Sequence, residues 1–237
     1  VPTLLLVRHG QASIHADNYD VLSELGHRQA TALGQYFART SRRIDRVVSG
    51  PLERQRDTTT RLLEASGRHD LVPTVLDGLR EFPAFSIVDR VKEKVAERDE
   101  VVRRGLVDAA APGKGGRAAP GFRDGVERIA TLWANGELDD VDDLESFAAF
   151  KARVLGALDE VAEQLASRQT GVLVTSGGVI AVAVADALGL PPARAMELMW
   201  EIANGSFHEI RLRPHTRTLM RFNAIPHLEP DGMVTHV

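Results

Sequence analysis

Leu4-Leu5-Leu6-Val7-Arg8-His9-Gly10-Gln11-Ala12-Ser13 is the stretch whose reading decides the fold. Four apolar residues in succession predict a short strand buried on both faces, as in a parallel sheet covered by helices. The run is stopped by an arginine, a histidine and a glycine. Ligands of open α/β sheets sit just beyond the carboxyl ends of strands. A charged pair there, followed by a residue that lets the backbone turn sharply, points to a site for an anion.

The rest of the chain repeats this arrangement. Leu25 to Arg39 has Ala30, Leu33, Phe37 and Ala38 at helical spacing. Ile44 to Ser49 predicts a second strand, and Pro51 fits the first turn of a helix over Leu52 to Ala65. Val72 to Leu76 predicts a third strand, followed by Leu79-Arg80-Glu81. Val172-Leu173-Val174 predicts another buried strand. It ends in Thr175-Ser176-Gly177-Gly178, ahead of an apolar helix over Val179 to Leu188. Ser206 to Leu212 and Arg217 to Phe222 predict a terminal hairpin turning near Pro214. Alternation of strands and helices defines an α/β class with a mainly parallel sheet.

Between about residues 84 and 144 the pattern changes. Val88 to Arg104 reads as one charged helix, Ala109 to Gly121 as a loop rich in alanine, glycine and proline, and Phe122 to Trp133 as a further helix. We read this region as a helical insertion over the sheet's carboxyl edge, within a single domain spanning 1–237. Phe147 to Leu165 is a long amphipathic helix. The acidic run Asp139-Asp140-Val141-Asp142-Asp143-Leu144-Glu145 lacks the glycine and ligand order of a calcium loop and reads as a solvated helix start.

Composition excludes several classes. A hydrophobic content of 43% supplies a sizeable core, and a net charge of −4 argues against a general nucleic-acid binder. With no cysteine, disulfides and thiolate metal sites are excluded and a reducing compartment is compatible, so a cytoplasmic location is the expectation. No apolar run approaches the ~20 residues of a membrane span. The histidines fit no common metal-site spacing, so no metal or cofactor is expected.

The chemistry-bearing residues cluster after strands: Arg8 and His9, Ser49 to Arg54, Glu81, and Ser176 to Gly178. Guanidinium groups bind phosphate oxygens in pairs and make protonation of a neighbouring imidazole less favourable. A neutral ring nitrogen of His9 is then a nucleophile toward phosphorus, and Glu81 is placed to protonate a leaving alkoxide. Gly177 and Gly178 open a helix whose free N–H groups favour an anion.

Leu6-Val7-Arg8-His9-Gly10 resembles the signature of the histidine phosphatase superfamily, also called the phosphoglycerate mutase-like family. Asp20 to Ala30, Ser49-Gly50-Pro51-Leu52-Glu53-Arg54, Leu79-Arg80-Glu81 and Val172 to Ile180 resemble its later motifs in the expected order. The resemblance implies a three-layer α/β/α sandwich. It implies a phosphatase that hydrolyses phosphate monoesters through phosphohistidine on His9, with Arg8 and Arg54 as phosphate clamps, Glu81 as the acid and no metal. Ser176 and Gly177 would complete the phosphate site, with Gln11, Ser13 and His15 at its edge. The substrate would be a phosphorylated small molecule or a phosphoprotein, selected by the insertion and by the loop Ile14 to Tyr19.

In one respect the chain departs from the pattern. Ser176 stands where the family usually carries a second histidine, so a charged donor is replaced by a neutral one. Removing one preorganised donor to a developing oxyanion costs about 10²–10³ in rate. The expectation is therefore an attenuated phosphatase; His15 is a candidate replacement donor, against the default reading of a solvent-exposed loop histidine. The alternatives are an inactive phosphate- or phosphoprotein-binding module and, less favoured, a phosphoglycerate mutase. Oligomeric state is not legible.

Overall fold

The structure, a computed structural model, describes residues 1–13, 20–110, 120–214 and 216–236. The loop Ile14 to Tyr19, with His15, lies outside the described residues, as does most of the alanine- and glycine-rich segment. Two compact units are present: Val1–Glu81, Arg153–Leu190 and Leu198–Val237 form the first, and Phe82–Ala152 with Pro191–Glu197 form the second.

The first unit holds a six-stranded sheet. Its strands are β1 (Thr3–Arg8), β2 (Arg46–Ser49), β3 (Thr74–Val75), β4 (Thr170–Thr175), β5 (Phe207–Arg213) and β6 (Thr216–Ala224), in the spatial order β3-β2-β4-β1-β5-β6. β1, β2, β3 and β4 pair in parallel, and β5 and β6 add an antiparallel edge. The sheet is thus mainly parallel, as the alternation requires. Between β1 and β4, Leu6 faces Leu173 and Arg8 faces Thr175. Both strands therefore end at the same level.

Leu4, Leu5, Leu6 and Val7 are completely buried because the sheet is covered on both faces. Leu5, Val7, Val47, Val172 and Val174 pack with Leu33 and Phe37 of α1 (Glu24–Arg39) and with Leu62 and Leu63 of α2 (Glu53–Ala65). Leu4 points the other way. At Gly171 on that face the nearest atoms belong to Leu4 and to Val161 and Leu165, at and beyond the end of α6 (Phe147–Glu163). The apolar α7 (Gly177–Leu188) follows β4, its residues Gly177 to Ala185 all buried, and it stops at Gly189, a left-handed C-cap.

The second unit contains α3 (Ala84–Ala96), α4 (Glu100–Ala110) and α5 (Pro120–Ala134). Its core is aromatic: Phe82 stacks on Trp133 at 4.8 Å between ring centroids, and Phe147 and Phe150 meet Trp133 at 5.2 and 5.5 Å. The Trp133 indole N–H donates to the Glu145 carbonyl at 2.7 Å.

Several boundaries differ from expectation. Val88 to Arg104 is not one helix: α3 ends at Ala96, and Asp99 caps α4 by accepting the N–H groups of Val101 and Val102 on Oδ1. A capping carboxylate offers the backbone an alternative to a continuous helix, without glycine or proline. The third strand shrinks to Thr74–Val75 because it pairs with only two residues of β2. The acidic run lies in turns ahead of α6, and Ser146 accepts the Ala149 N–H there. A helix α8 (Pro192–Glu201) was not anticipated, although proline at its first position is a start signal.

Two glycines fix how closely α1 approaches the end of β1. A Cβ on Gly26 would lie 2.2 Å from the Gln11 carbonyl oxygen, and one on Gly10 would lie 2.4 Å from the Gly26 carbonyl oxygen. Both are backbone atoms that cannot move aside. Gly26→Ala is expected to destabilise the first unit by about 1–3 kcal/mol through overpacking. Gly156→Ala, inside α6 with open space around it, is expected to stabilise by about 1 kcal/mol from helix propensity. Urea unfolding midpoints of the two variants measure both.

Candidate active site

The main chain around His9 is fully occupied. Its N–H donates to the Thr175 carbonyl at 2.9 Å, and the Arg8 N–H donates to the Ser206 carbonyl at 3.0 Å. Gly205, in a left-handed turn with φ +71°, donates its N–H to the carbonyls of Arg8 and His9, each at 3.1 Å. The Gly10 N–H donates to Thr58 Oγ1 of α2 at 3.1 Å. The histidine thus leaves β1 on a backbone held from β4, from α2 and from the turn before β5.

The ring of His9 is as constrained as its backbone. Nδ1 lies 2.7 Å from the Gly10 carbonyl oxygen, which can only accept, so the proton sits on Nδ1. Nε2 then carries a lone pair, and Arg54 Nε donates to it at 3.1 Å. Burial, then the guanidinium of Arg54, then that of Arg8 hold the imidazole pKa well below its ordinary value, with the Gly10 hydrogen bond acting in the opposite sense. The ring is neutral near pH 7, with Nε2 as the nitrogen that carries the lone pair.

Arg54 is oriented by Asp20. Its Nη1 donates to Asp20 Oδ1 at 2.6 Å, while Asp20 Oδ2 accepts the Glu53 N–H at the start of α2 at 2.9 Å. Arg8 is anchored differently: its Nη1 donates to the carbonyls of Ile202 and of His236, the latter at 2.7 Å. The segment carrying His236 is itself tied down, since Gln29 Nε2 of α1 donates to the Met233 carbonyl at 2.7 Å and to Thr235 Oγ1 at 3.0 Å.

Glu81 and Ser176 stand at the start of α7. Glu81 Oε2 accepts the Gly178 N–H at 2.9 Å, so the anion that the helix start attracts within the chain is this carboxylate. The loop bearing Glu81 is held by Arg153 of α6, whose Nη1 donates to the carbonyls of Gly78 at 3.1 Å and Arg80 at 2.9 Å. The carbonyl of Leu79 accepts from Thr175 Oγ1 at 2.8 Å and from Gln55 Nε2 at 3.2 Å. Ser176 is buried, and its Oγ accepts from Gln55 Nε2 at 2.9 Å.

The structure therefore brings Arg54 onto His9, and Glu81, Ser176 and Gly177 onto the adjoining strand end. Gly177 packs on Met199, and a Cβ there would lie 3.7 Å from Arg8 Nε. Gln11 serves the framework: its Oε1 accepts from Ser23 Oγ, the N-cap of α1, at 2.9 Å, and its N–H donates to Gln29 Oε1. Ser13 is fixed through its main chain, its N–H donating to the Val21 carbonyl at 2.8 Å. His15 lies outside the described residues. Asp20, Gln55, Thr58 and Arg153 were missed by the sequence reading. Gln55 makes the half of a capping box in which the side chain accepts the N-cap N–H, but with Leu52 as the N-cap the sequence lacks the serine or threonine that would have signalled it. Among the described residues no cluster of His, Asp or Glu could hold a metal ion, and no helix is long and apolar enough to cross a membrane.

The sequence model of the Histidine phosphatase superfamily (branch 1) matches residues 4–141 and 122–225, and the chain belongs to this superfamily. A broad-specificity phosphatase of Saccharomyces cerevisiae is 32% identical over 84 residues, 33% of this chain and 36% of that protein. A 2,3-bisphosphoglycerate-dependent phosphoglycerate mutase of Mesorhizobium japonicum is 33% identical over 122 residues, 47% of this chain and 59% of that protein. The chain thus spans less than two thirds of the length of these curated relatives. A mycobacterial glucosyl-3-phosphoglycerate phosphatase, solved with VO3, superposes with a TM-score of 0.60 at 25% identity, covering 94% of this chain and 99% of that one.

Two further buried histidines sit beside this centre. Burial, reinforced by Arg8, lowers the pKa of His208 to about 3, and burial lowers that of His227 to about 4. Unfolding exposes both to water, where they bind a proton below about pH 6.5. Their contribution to stability is therefore present above pH 6.5 and lost as the pH falls toward 4 and then 3. His227→Gln keeps a donor for the Gly205 carbonyl, which His227 Nε2 meets at 3.0 Å. It should remove about one proton, or about 1.4 kcal/mol per pH unit, from the slope of unfolding free energy between pH 6 and 4.5.

Proposed function

We propose that the chain hydrolyses phosphate monoesters through a phosphohistidine on His9. The observation that carries this reading is the state of the His9 ring, with its proton committed to the Gly10 carbonyl and a lone pair on Nε2 beside Arg54. An incoming phosphate takes over the Arg54 Nε–H that Nε2 now accepts. The guanidinium then clamps the phosphoryl group against the nucleophile it had been shielding. Arg8, next to His9 and anchored through Nη1, adds positive potential at the same strand end.

In the first step Nε2 attacks phosphorus as the bond from phosphorus to the ester oxygen breaks; Glu81, which takes up a proton when the phosphate dianion binds beside it, gives that proton to the departing alkoxide. In the second, water attacks the phosphohistidine and gives its proton to the Glu81 carboxylate. The P–N bond breaks, inorganic phosphate leaves, and His9 returns to its neutral form. Ser176 supplies a hydroxyl where superfamily members usually present a second histidine, so turnover is attenuated. The VO3 on a structural neighbour and the activities named for the relatives support a phosphorylated small molecule as substrate.

Steady-state assays with p-nitrophenyl phosphate and with an alkyl phosphate test the reading. Hydrolysis of both is expected, with complete loss in His9→Ala. In Glu81→Gln, hydrolysis of the alkyl ester should fall about 10²–10⁴-fold and that of the aryl ester, whose leaving group needs no proton, far less. Labelled substrate should leave an acid-labile, alkali-stable phosphoryl group on the wild-type chain. Tight vanadate binding with no hydrolysis of either ester would instead establish a phosphate-binding module.

A further inference from the structure

Gln55 is the residue of α2 that follows Arg54, and its side-chain amide has a fixed direction. Oε1 accepts the Leu52 N–H at 3.1 Å, a partner that can only donate. The other end of the amide is therefore the NH2 group, which donates to the Leu79 carbonyl at 3.2 Å and to Ser176 Oγ at 2.9 Å. Gln55 is completely buried, and its Oε1 takes the space that a Cβ on Gly50 would need, 2.1 Å away, so its direction is set by the Leu52 N–H and the Leu79 carbonyl. Ser176 Oγ must accept this bond. Its own proton is left to be given elsewhere, and as the N-cap residue of α7 it makes no side-chain capping bond within that helix.

The place of this pair gives it a consequence. Ser176 follows Thr175, whose carbonyl takes the His9 N–H at 2.9 Å, and Gln55 follows Arg54, which donates to His9 Nε2. We propose that Gln55 is a positioning residue that sets Ser176 as a hydrogen-bond donor to the phosphoryl oxygens, and that by filling the space beside Ser176 it makes serine the side chain this site accepts. The inference rests on the phosphoryl site proposed above. It adds that the residues at 55 and 176 act as one unit, in which a larger cation at 176 is useful only when residue 55 is small.

Orthovanadate affinity of the whole chain, measured by calorimetry, reads the donor whether or not the protein turns over. Ser176→Ala and Gln55→Met are each expected to weaken vanadate binding about tenfold or more. The double variant should be no weaker than the worse single one, because the two changes remove the same donated bond. Ser176→His alone should not tighten binding, whereas Ser176→His combined with Gln55→Ala should bind more tightly than Gln55→Ala alone. Melting temperatures of all variants identify any that fail to fold, and the pair containing histidine is an independent arm if Gln55→Met does. Additive losses in the Ser176/Gln55 cycle, an unchanged affinity in Ser176→Ala, or tightening by Ser176→His with Gln55 in place would each overturn the proposal. Failure of the hydrolytic reading is seen separately, as vanadate binding without ester hydrolysis.

Discussion

The site depends on a neutral imidazole held at the end of a strand that cannot move. β1 lies between β4 and β5, paired along its length on both sides, and the peptide groups from Arg8 to Gly10 are bonded to three different elements. A flexible histidine beside two arginines would swing into water and titrate normally. Here burial and hydrogen bonding leave one ring nitrogen as the donor and the other as the acceptor. Positive charge nearby then acts on the protonation equilibrium and favours the neutral ring.

The two guanidinium groups are kept apart by the kind of partner each has. Arg54 shares a carboxylate, Asp20, which also ties the first turn of α2 to the same point. Arg8 donates to the main-chain carbonyls of Ile202 and His236, which fix its direction. The surrounding polar groups are arranged in the same spirit. Leu79 offers one carbonyl to both Thr175 and Gln55, so the loop that carries Glu81, the end of β4 and the start of α2 are joined through a single acceptor.

Much of this was legible in the sequence because it follows from the order of elements. The apolar run Leu4–Val7 placed a buried strand, and Arg8, His9 and Ser176 stand at or just past the ends of β1 and β4, with Arg54 in the first turn of the helix that follows β2. Legibility failed where a polar side chain does its work inside the protein. Asp20, Gln55 and Arg153 read as ordinary residues of a loop or of a solvated helix face. Nothing in their spacing says that they bond to segments 34, 121 and 75 residues away. The break between α3 and α4 was missed for a related reason. Asp99 ends one helix and opens the next by competing for backbone N–H groups, a local effect that hydrophobic periodicity does not register.

The anchoring of Arg8 also bears on how the protein comes into being. During synthesis β1 leaves the ribosome before its pairing partners β4 and β5, which follow more than 150 residues later, and the Ile202 carbonyl that receives the Arg8 side chain is 194 positions downstream. An apolar strand with two open edges must therefore wait, unpaired, while the residues between it and its partners are translated. The centre is completed by late-arriving pieces, and the nascent chain is committed to a slow, long-range closure in which protection of that strand from aggregation matters as much as final stability.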